Sequence, residues 1–309
     1  MRRLVTRPRV SPLVQRRIAD YVTITNVQGF IGFFDILGYS AFLESDSTIQ
    51  TTERVLEIIT SSGIRADFLI DKVWDLHPEA NTALIKGGPT IRELFTAFKA
   101  TSRWSIWSDT IVLTVGFEPS SERTATSFLN QIGILYHAAL SAGALAEQMF
   151  LAGLPVRGAL HFGEYFQRDN TLAGKATIEA YKLCNRLDLA ATVVSSAAMA
   201  FTRVNVQQYG IQDLSYFIAT EYDVPMNDGR AEKMAVLTGF DWRRTSQPSL
   251  EEAVYNSFKA HGKTMGGNAP RKADNTIKLW RTVPKPTLAG LPFSWDQPGQ
   301  WIRTFGSPG

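Results

Sequence analysis

Apolar residues fall into two alternating patterns along the chain: short continuous runs, and longer stretches with helical spacing. Phe30 to Ile36 is nearly all apolar and predicts a central strand. Gly38 turns the chain, and Ser40 onward opens a helix. Leu43 to Phe68 has helical spacing, with Val55, Leu56, Ile58 and Ile59 on one side. Residues 71–90 carry Pro78, Gly87, Gly88 and Pro89 and read as an inserted loop. Ile91 to Ala100 is a short helix. Trp104 to Trp107 and Thr110 to Phe117 form a hairpin across a tight Ser108-Asp109 turn. Ser120 to Ala152 is a long amphipathic helix, with Phe128, Leu129, Ile132, Leu135, Ala139, Leu140, Leu145 and Met149 inward. Leu154 to Phe162 is a further strand, and Gly174 to Ala191 a helix with Ala180, Leu183, Leu187 and Ala190 on its apolar side.

The order strand, helix, helix, strand, strand, helix, strand, helix predicts an α+β fold, a mixed sheet with helices on one face. Beyond residue 200, Tyr216–Ala219, Met234–Leu237 and Thr276–Trp280 read as strands and Ser249–Lys259 as a helix. The tail from Pro284 is rich in Pro, Gly and Trp and reads as irregular chain wrapping the body. The expected organisation is an arm over residues 1–28, a catalytic domain over 29–200, and an extension over 201–309 packed on the same domain.

Composition narrows the function classes. With 309 residues, 44% hydrophobic and 20% charged, the chain has ample material for a core. A net charge of +3 does not point to nucleic acid, and no apolar run reaches the length of a membrane span. Arg2, Arg3, Arg7, Arg9, Arg16 and Arg17 crowd the start, which suits a flexible basic arm; an organelle transit peptide has a similar composition. The single cysteine, Cys184, excludes an intrachain disulfide and fits a reducing, cytoplasmic setting. His77, His137, His161 and His261 lack metal-ligand spacing. Gly262-Lys263-Thr264 has the end of a phosphate loop, but Ser257 stands where the first glycine is needed.

Two carboxylates interrupt or end apolar runs, Asp35 in Phe33-Phe34-Asp35-Ile36-Leu37-Gly38 and Asp109 in Trp107-Ser108-Asp109-Thr110-Ile111. A carboxylate in such a setting is costly unless something offsets its desolvation, and a divalent cation does so. A paired set is what two-metal phosphoryl transfer requires. Taken alone, Asp109 also reads as a turn residue.

The run Phe33 to Ser40 resembles the first metal motif of class III nucleotidyl cyclases, and Trp107 to Val112 resembles their second. Pro155 to Gly163 is similar to the strand after their long helix, and Gly174 to Leu183 falls where they keep a glycine-led helix with transition-state residues. Within that class the pattern is most similar to the pyrimidine cyclases of the Pycsar anti-phage system. The shared features are the Asp-Ile-Leu-Gly motif, the Ser-Asp hairpin, Glu179-Ala180-Tyr181, Tyr222-Asp223-Val224-Pro225, Asp241-Trp242 and Asp274-Asn275-Thr276-Ile277.

The resemblance implies a ferredoxin-like core that cyclises UTP, or alternatively CTP, to a 3′,5′-cyclic monophosphate, with a separate effector reading the product. A purine cyclase and a silent cyclase-like module are the other readings. Two Mn²⁺ or Mg²⁺ ions would be held by Asp35, Asp109 and the Ile36 carbonyl. Phe34, Leu37, Gly38, Tyr39 and Ser40 would surround the phosphates. Purine-specific relatives read the base with a lysine where this chain has Ser105, so Arg103 and Tyr39 are the base-reading candidates; a solvated arginine and a half-buried aromatic are their plainer readings. For the transition state Lys182, Arg186 and Arg157 are the candidate cations, with Asn185 beside them; Arg157 also suits a structural pairing with an acid at a sheet end. The class places its sites between two subunits, which implies a homodimer.

Overall fold

The computed structural model describes residues 25–45, 48–75, 90–117, 125–168, 171–201, 219–237 and 246–283. Its elements are β1 (Thr25–Ile36), α1 (Tyr39–Leu43), α2 (Ile49–Asp75), α3 (Ile91–Thr101), β2 (Ser102–Trp107), β3 (Thr110–Phe117), α4 (Ala125–Leu151), β4 (Val156–Arg168), β5 (Thr171–Ala173), α5 (Lys175–Arg186), β6 (Thr192–Val194), β7 (Ala219–Pro225), β8 (Ala231–Leu237), α6 (Leu250–Lys259) and α7 (Ala269–Thr282). The strands form one sheet in the order β2-β3-β1-β4-β6-β8-β7, with β5 paired to β4. β1 runs antiparallel to both β3 and β4, so the first four strands have the ferredoxin-like arrangement. β4 and β6 are parallel, which makes the sheet mixed, as expected.

Helices cover both faces of this sheet, not one. Along β1 the side chains alternate. Phe30, Phe34 and Ile36 join a core built with Val55 and Ile59 of α2, Phe98 of α3 and Leu145 and Met149 of α4. Ile31 and Phe33 join a second core with Ala176, Ala180 and Cys184 of α5 and Leu279 of α7. A strand that is apolar at nearly every position has two faces to bury, and that requires cover on each. A third cluster joins Leu37 and Ala190 to Leu250, Val254 and Phe258 of α6 and to Ala273 and Ile277 of α7.

Several boundaries depart from the sequence pattern. The predicted helix from Ser40 is split into the short α1 and α2, which continues to Asp75, into the stretch read as loop. β4 runs on to Arg168. α5 ends at Arg186, and the chain turns extended to enter β6. Thr276–Trp280, read as a strand, lies inside α7. Its β-branched and aromatic residues look strand-like, but Ala273, Ile277 and Trp280 share one helical face, and Pro270 sits in the first turn. β7 begins at Ala219 and runs to Pro225. The arginine-rich start, Tyr216–Ile218, Asp241-Trp242 and the tail from Pro284 lie outside the described residues; so do the side chains of Phe128, Leu129 and Ile132 within α4.

Two buried groups on the helical layers bear on stability. Cys184 is fully buried, its thiol donates to the Arg157 carbonyl at 3.4 Å, and burial pushes its pKa up to about 12. His137 of α4 is buried, with Nε2 2.8 Å from the Ser102 hydroxyl, and burial pushes its pKa down to about 4. Its folded pKa lies below the unfolded value of 6.5, so the stability of the neutral ring is present above pH 6.5 and lost as pH falls toward 4. Denaturant titrations at pH 6.5 and pH 5 should differ by about 1.5 kcal/mol from this group. His137→Gln should flatten that difference; an equal slope in both proteins contradicts the assignment.

Candidate active site

Asp35 occupies the end of β1 on the face shared by Ile31 and Phe33, above the C-terminal end of α5. β4 places Arg157 directly opposite in register. The guanidinium Nε donates to Asp35 Oδ2 at 2.7 Å, and the two side chains are 13% and 19% exposed, arginine first. The other arm of Arg157 closes α5: Nη1 donates to the carbonyls of Asn185 and Leu187, and Nη2 to Asn185 Oδ1, each at 3.1 Å. A cation at a helix C-terminus satisfies carbonyls that have no intrahelical partner. Arg157 therefore orients Asp35 and fixes α5 against the sheet with a single side chain.

Even with this partner, burial holds the Asp35 carboxyl above the usual carboxylate range, against the pull of Arg157, and the charge of Asp109 pushes in the same direction as burial. Asp109 lies in the β2–β3 turn, after Ser108 in the left-handed region at φ 57°. β1 and β3 pair Asp35 with Thr110, and the Ile36 amide donates to the Asp109 carbonyl at 2.9 Å. The two carboxylates thus stand at the same end of adjacent antiparallel strands. Arg157 holds one oxygen of Asp35. Asp35, half-buried and repelled by the charge of Asp109 beside it, makes with Asp109 a hard oxygen pair that fits a divalent cation. Among the described residues no group of three or more His, Cys, Asp or Glu converges; the side-chain donor set is this pair, and any further ligands come from backbone, substrate or water.

After Ile36 the backbone turns sharply. The Leu37 amide donates to Pro155, and Gly38 adopts φ 78°, a conformation that favours glycine. A Cβ on Gly38 would stand 3.1 Å from Cδ of Lys263. Lys263 is 5% exposed, and its ammonium donates to the carbonyls of Gly153 at 2.7 Å and Ser257 at 3.2 Å; burial pushes its pKa down to about 8. The phosphate-loop fragment around it is instead a strut beneath the turn.

Phe34, Leu37 and Tyr39 are buried in the core, so their side chains pack, while Ser40 is exposed. Arg103 is exposed and folds back to the carbonyls of Ala100 and Ser102. Ser105 is half-buried opposite Val112. On α5, Lys182 is exposed and Arg186 pairs with Glu232. The structure brings together Asp35, Ile36, Asp109 and Arg157; Arg103, Lys182 and Arg186 do not join that group.

The C-terminal helix contributes contacts to which the sequence assigned no role. Asp188 is buried and bound by Arg271 Nε at 2.6 Å and by Asn275 Nδ2 at 3.0 Å, and the Thr276 hydroxyl accepts the Ala190 amide at 2.8 Å. The motif Asp274-Asn275-Thr276-Ile277 flagged Asn275 and Thr276 but not their role, because the partners lie more than 80 residues away.

No protein-family model matches the chain, and no curated protein matches it. Among solved structures, the adenylyl cyclase CyaB from P. aeruginosa is similar at 12% identity with a TM-score of 0.37, over 70% of this chain and 94% of that one.

Proposed function

We propose that this chain is a class III-like nucleotidyl cyclase that converts UTP, or alternatively CTP, to a 3′,5′-cyclic monophosphate and pyrophosphate. The observation that carries the reading is the convergence of Asp35 and Asp109 at one end of adjacent strands, each within a motif that resembles the metal motifs of that class. UTP stands first because the likeness is strongest to pyrimidine cyclases, and an anti-phage second messenger is the role that goes with it. Asp35, Asp109 and the Ile36 carbonyl would hold two Mn²⁺ or Mg²⁺ ions. Such ions supply Lewis-acid activation of the ribose 3′-hydroxyl and neutralise the triphosphate. The chain's own part is positioning, which dominates phosphoryl transfer. Arg157 fixes the Asp35 rotamer, and the turn at Gly38 lets backbone approach a phosphate. Lys182, exposed on α5, would serve a second subunit's site in a homodimer.

The test is incubation of the purified chain with UTP, CTP, ATP and GTP and Mn²⁺, with products identified by mass. Cyclic UMP from UTP is expected; no cyclic product from any of the four overturns the reading. Metal binding has its own signature. Because the folded pKa of Asp35 is raised, its ionised form costs stability above that pKa, and the cost disappears as pH falls through it. Mn²⁺ needs the ionised form. It should therefore raise the melting temperature at pH 7, by about 2.7 kcal/mol of stability at a hundred times its Kd. That gain should shrink as pH is lowered.

A further inference from the structure

α7 lies against the turn that follows Asp35. Its Ala273 and Ile277 pack with Leu37 and Ala190, and Thr276, Asn275 and Arg271 are bonded to the 188–190 segment just beyond α5. That docking fixes Lys272, one residue before Ala273, within electrostatic reach of Asp35, Arg157, Asp188 and Arg271.

Three of the four cations at this corner already have direct partners. Arg157 is committed to Asp35 and to the carbonyls at the end of α5. Arg271 is committed to Asp188, which Asn275 also binds. Lys263, the other lysine by the turn, is spent on two backbone carbonyls. Lys272 is half-buried, and among the described residues its ammonium makes no hydrogen bond or ion pair. Burial, the largest effect, and the two arginines disfavour its charge, while Asp35 and Asp188 favour it. An ammonium near carboxylates but directly bonded to none of them can receive an anion that arrives with the ligand. The anion that suits it is a polyphosphate, which would lie against this turn if the carboxylates hold cations.

We propose that Lys272 of α7 binds the polyphosphate tail of the nucleotide, in the same chain that carries Asp35. This deepens the cyclase reading and rests on it for the identity of the nucleotide. It also gives the C-terminal segment a direct part in substrate binding, beyond packing on the sheet.

The experiment measures binding of inorganic tripolyphosphate with Mn²⁺ by calorimetry, alongside KM and kcat for UTP, in the full chain and in Lys272→Met, Lys272→Arg and Lys278→Met. Lys278 is exposed on the same helix and serves as the control. Lys272→Met should weaken tripolyphosphate at least tenfold and raise KM by a similar factor with its melting temperature unchanged. Lys272→Arg should recover most of the loss, and Lys278→Met should match wild type. Cyclic product and tripolyphosphate affinity both unchanged in Lys272→Met overturn this proposal and leave the cyclase reading standing. Loss of melting temperature in Lys272→Met, with affinity intact, marks a purely structural lysine and overturns it equally. Tripolyphosphate binding that depends on Lys272 in a chain that cyclises no nucleotide supports the phosphate site and removes the cyclase. A wild-type chain that binds no tripolyphosphate overturns the proposal whatever the variants do.

Discussion

Asp109→Ala is expected to lower cyclic-nucleotide formation by about a thousandfold or more, because losing a metal ligand removes several kcal/mol of charge stabilisation and each 1.4 kcal/mol is a factor of ten. Stability should barely change. Asp109 is half-exposed in a hairpin turn, and no hydrogen bond or ion pair of its side chain appears among the described residues. Such surface substitutions cost within about 0.5 kcal/mol. Asp35→Ala should abolish product as fully but differ in a second readout. It strands the Arg157 guanidinium at a site where both partners are mostly buried, so the melting temperature falls as well. The pair of variants separates chemistry from folding. Wild-type turnover in Asp109→Ala refutes a two-carboxylate metal site.

The second large effect is on the fold. Arg157→Met should destabilise the protein by about 3 kcal/mol, the usual cost of removing one partner of a largely buried ion pair. For a chain of this size that corresponds to a melting shift of several degrees. Two losses combine: Asp35 keeps its desolvation without its cation, and the Leu187 carbonyl loses its arginine donor while Asn185 keeps only that from Asn227. The first loss depends on pH. Without the arginine the Asp35 pKa rises further above its unfolded value, so the deficit is full where the carboxyl is ionised and shrinks as pH falls and the carboxyl protonates. Adding Asp35→Asn to Arg157→Met should recover part of the loss, since the amide needs no counter-ion. A purely additive double mutant contradicts the coupling.

What the sequence disclosed and what it withheld follow from range. β3 and α6 were legible because an apolar run bounded by turn residues, or a serine before a helical pattern, is local information. The two aspartates were legible because each breaks an apolar run. Their adjacency needed strand pairing, which the motif likeness anticipated and periodicity alone did not. The double cover of the sheet was implicit in β1, whose apolar residues leave neither face polar, yet the order of elements suggested one layer. Arg157 was ambiguous from sequence: a strand-end arginine can serve a substrate or a neighbouring carboxylate, and only the register that sets it opposite Asp35 shows what it touches. The role of α7 was hidden by its composition. Ile277, Leu279 and Trp280 favour a strand in isolation, while the tertiary bonds of Arg271, Asn275 and Thr276 to the 188–190 segment belong to no local pattern.

Cys184 carries a consequence for how this molecule is studied. It is the chain's one sulfhydryl, sealed between α5 and the sheet with its ionisation suppressed. An alkylating reagent can reach it only when that interface parts, so labelling kinetics count openings of the same joint that Arg157 clamps. Any ligand that tightens the corner around Asp35 should lengthen the labelling half-life, giving a binding readout that needs neither turnover nor an added probe site.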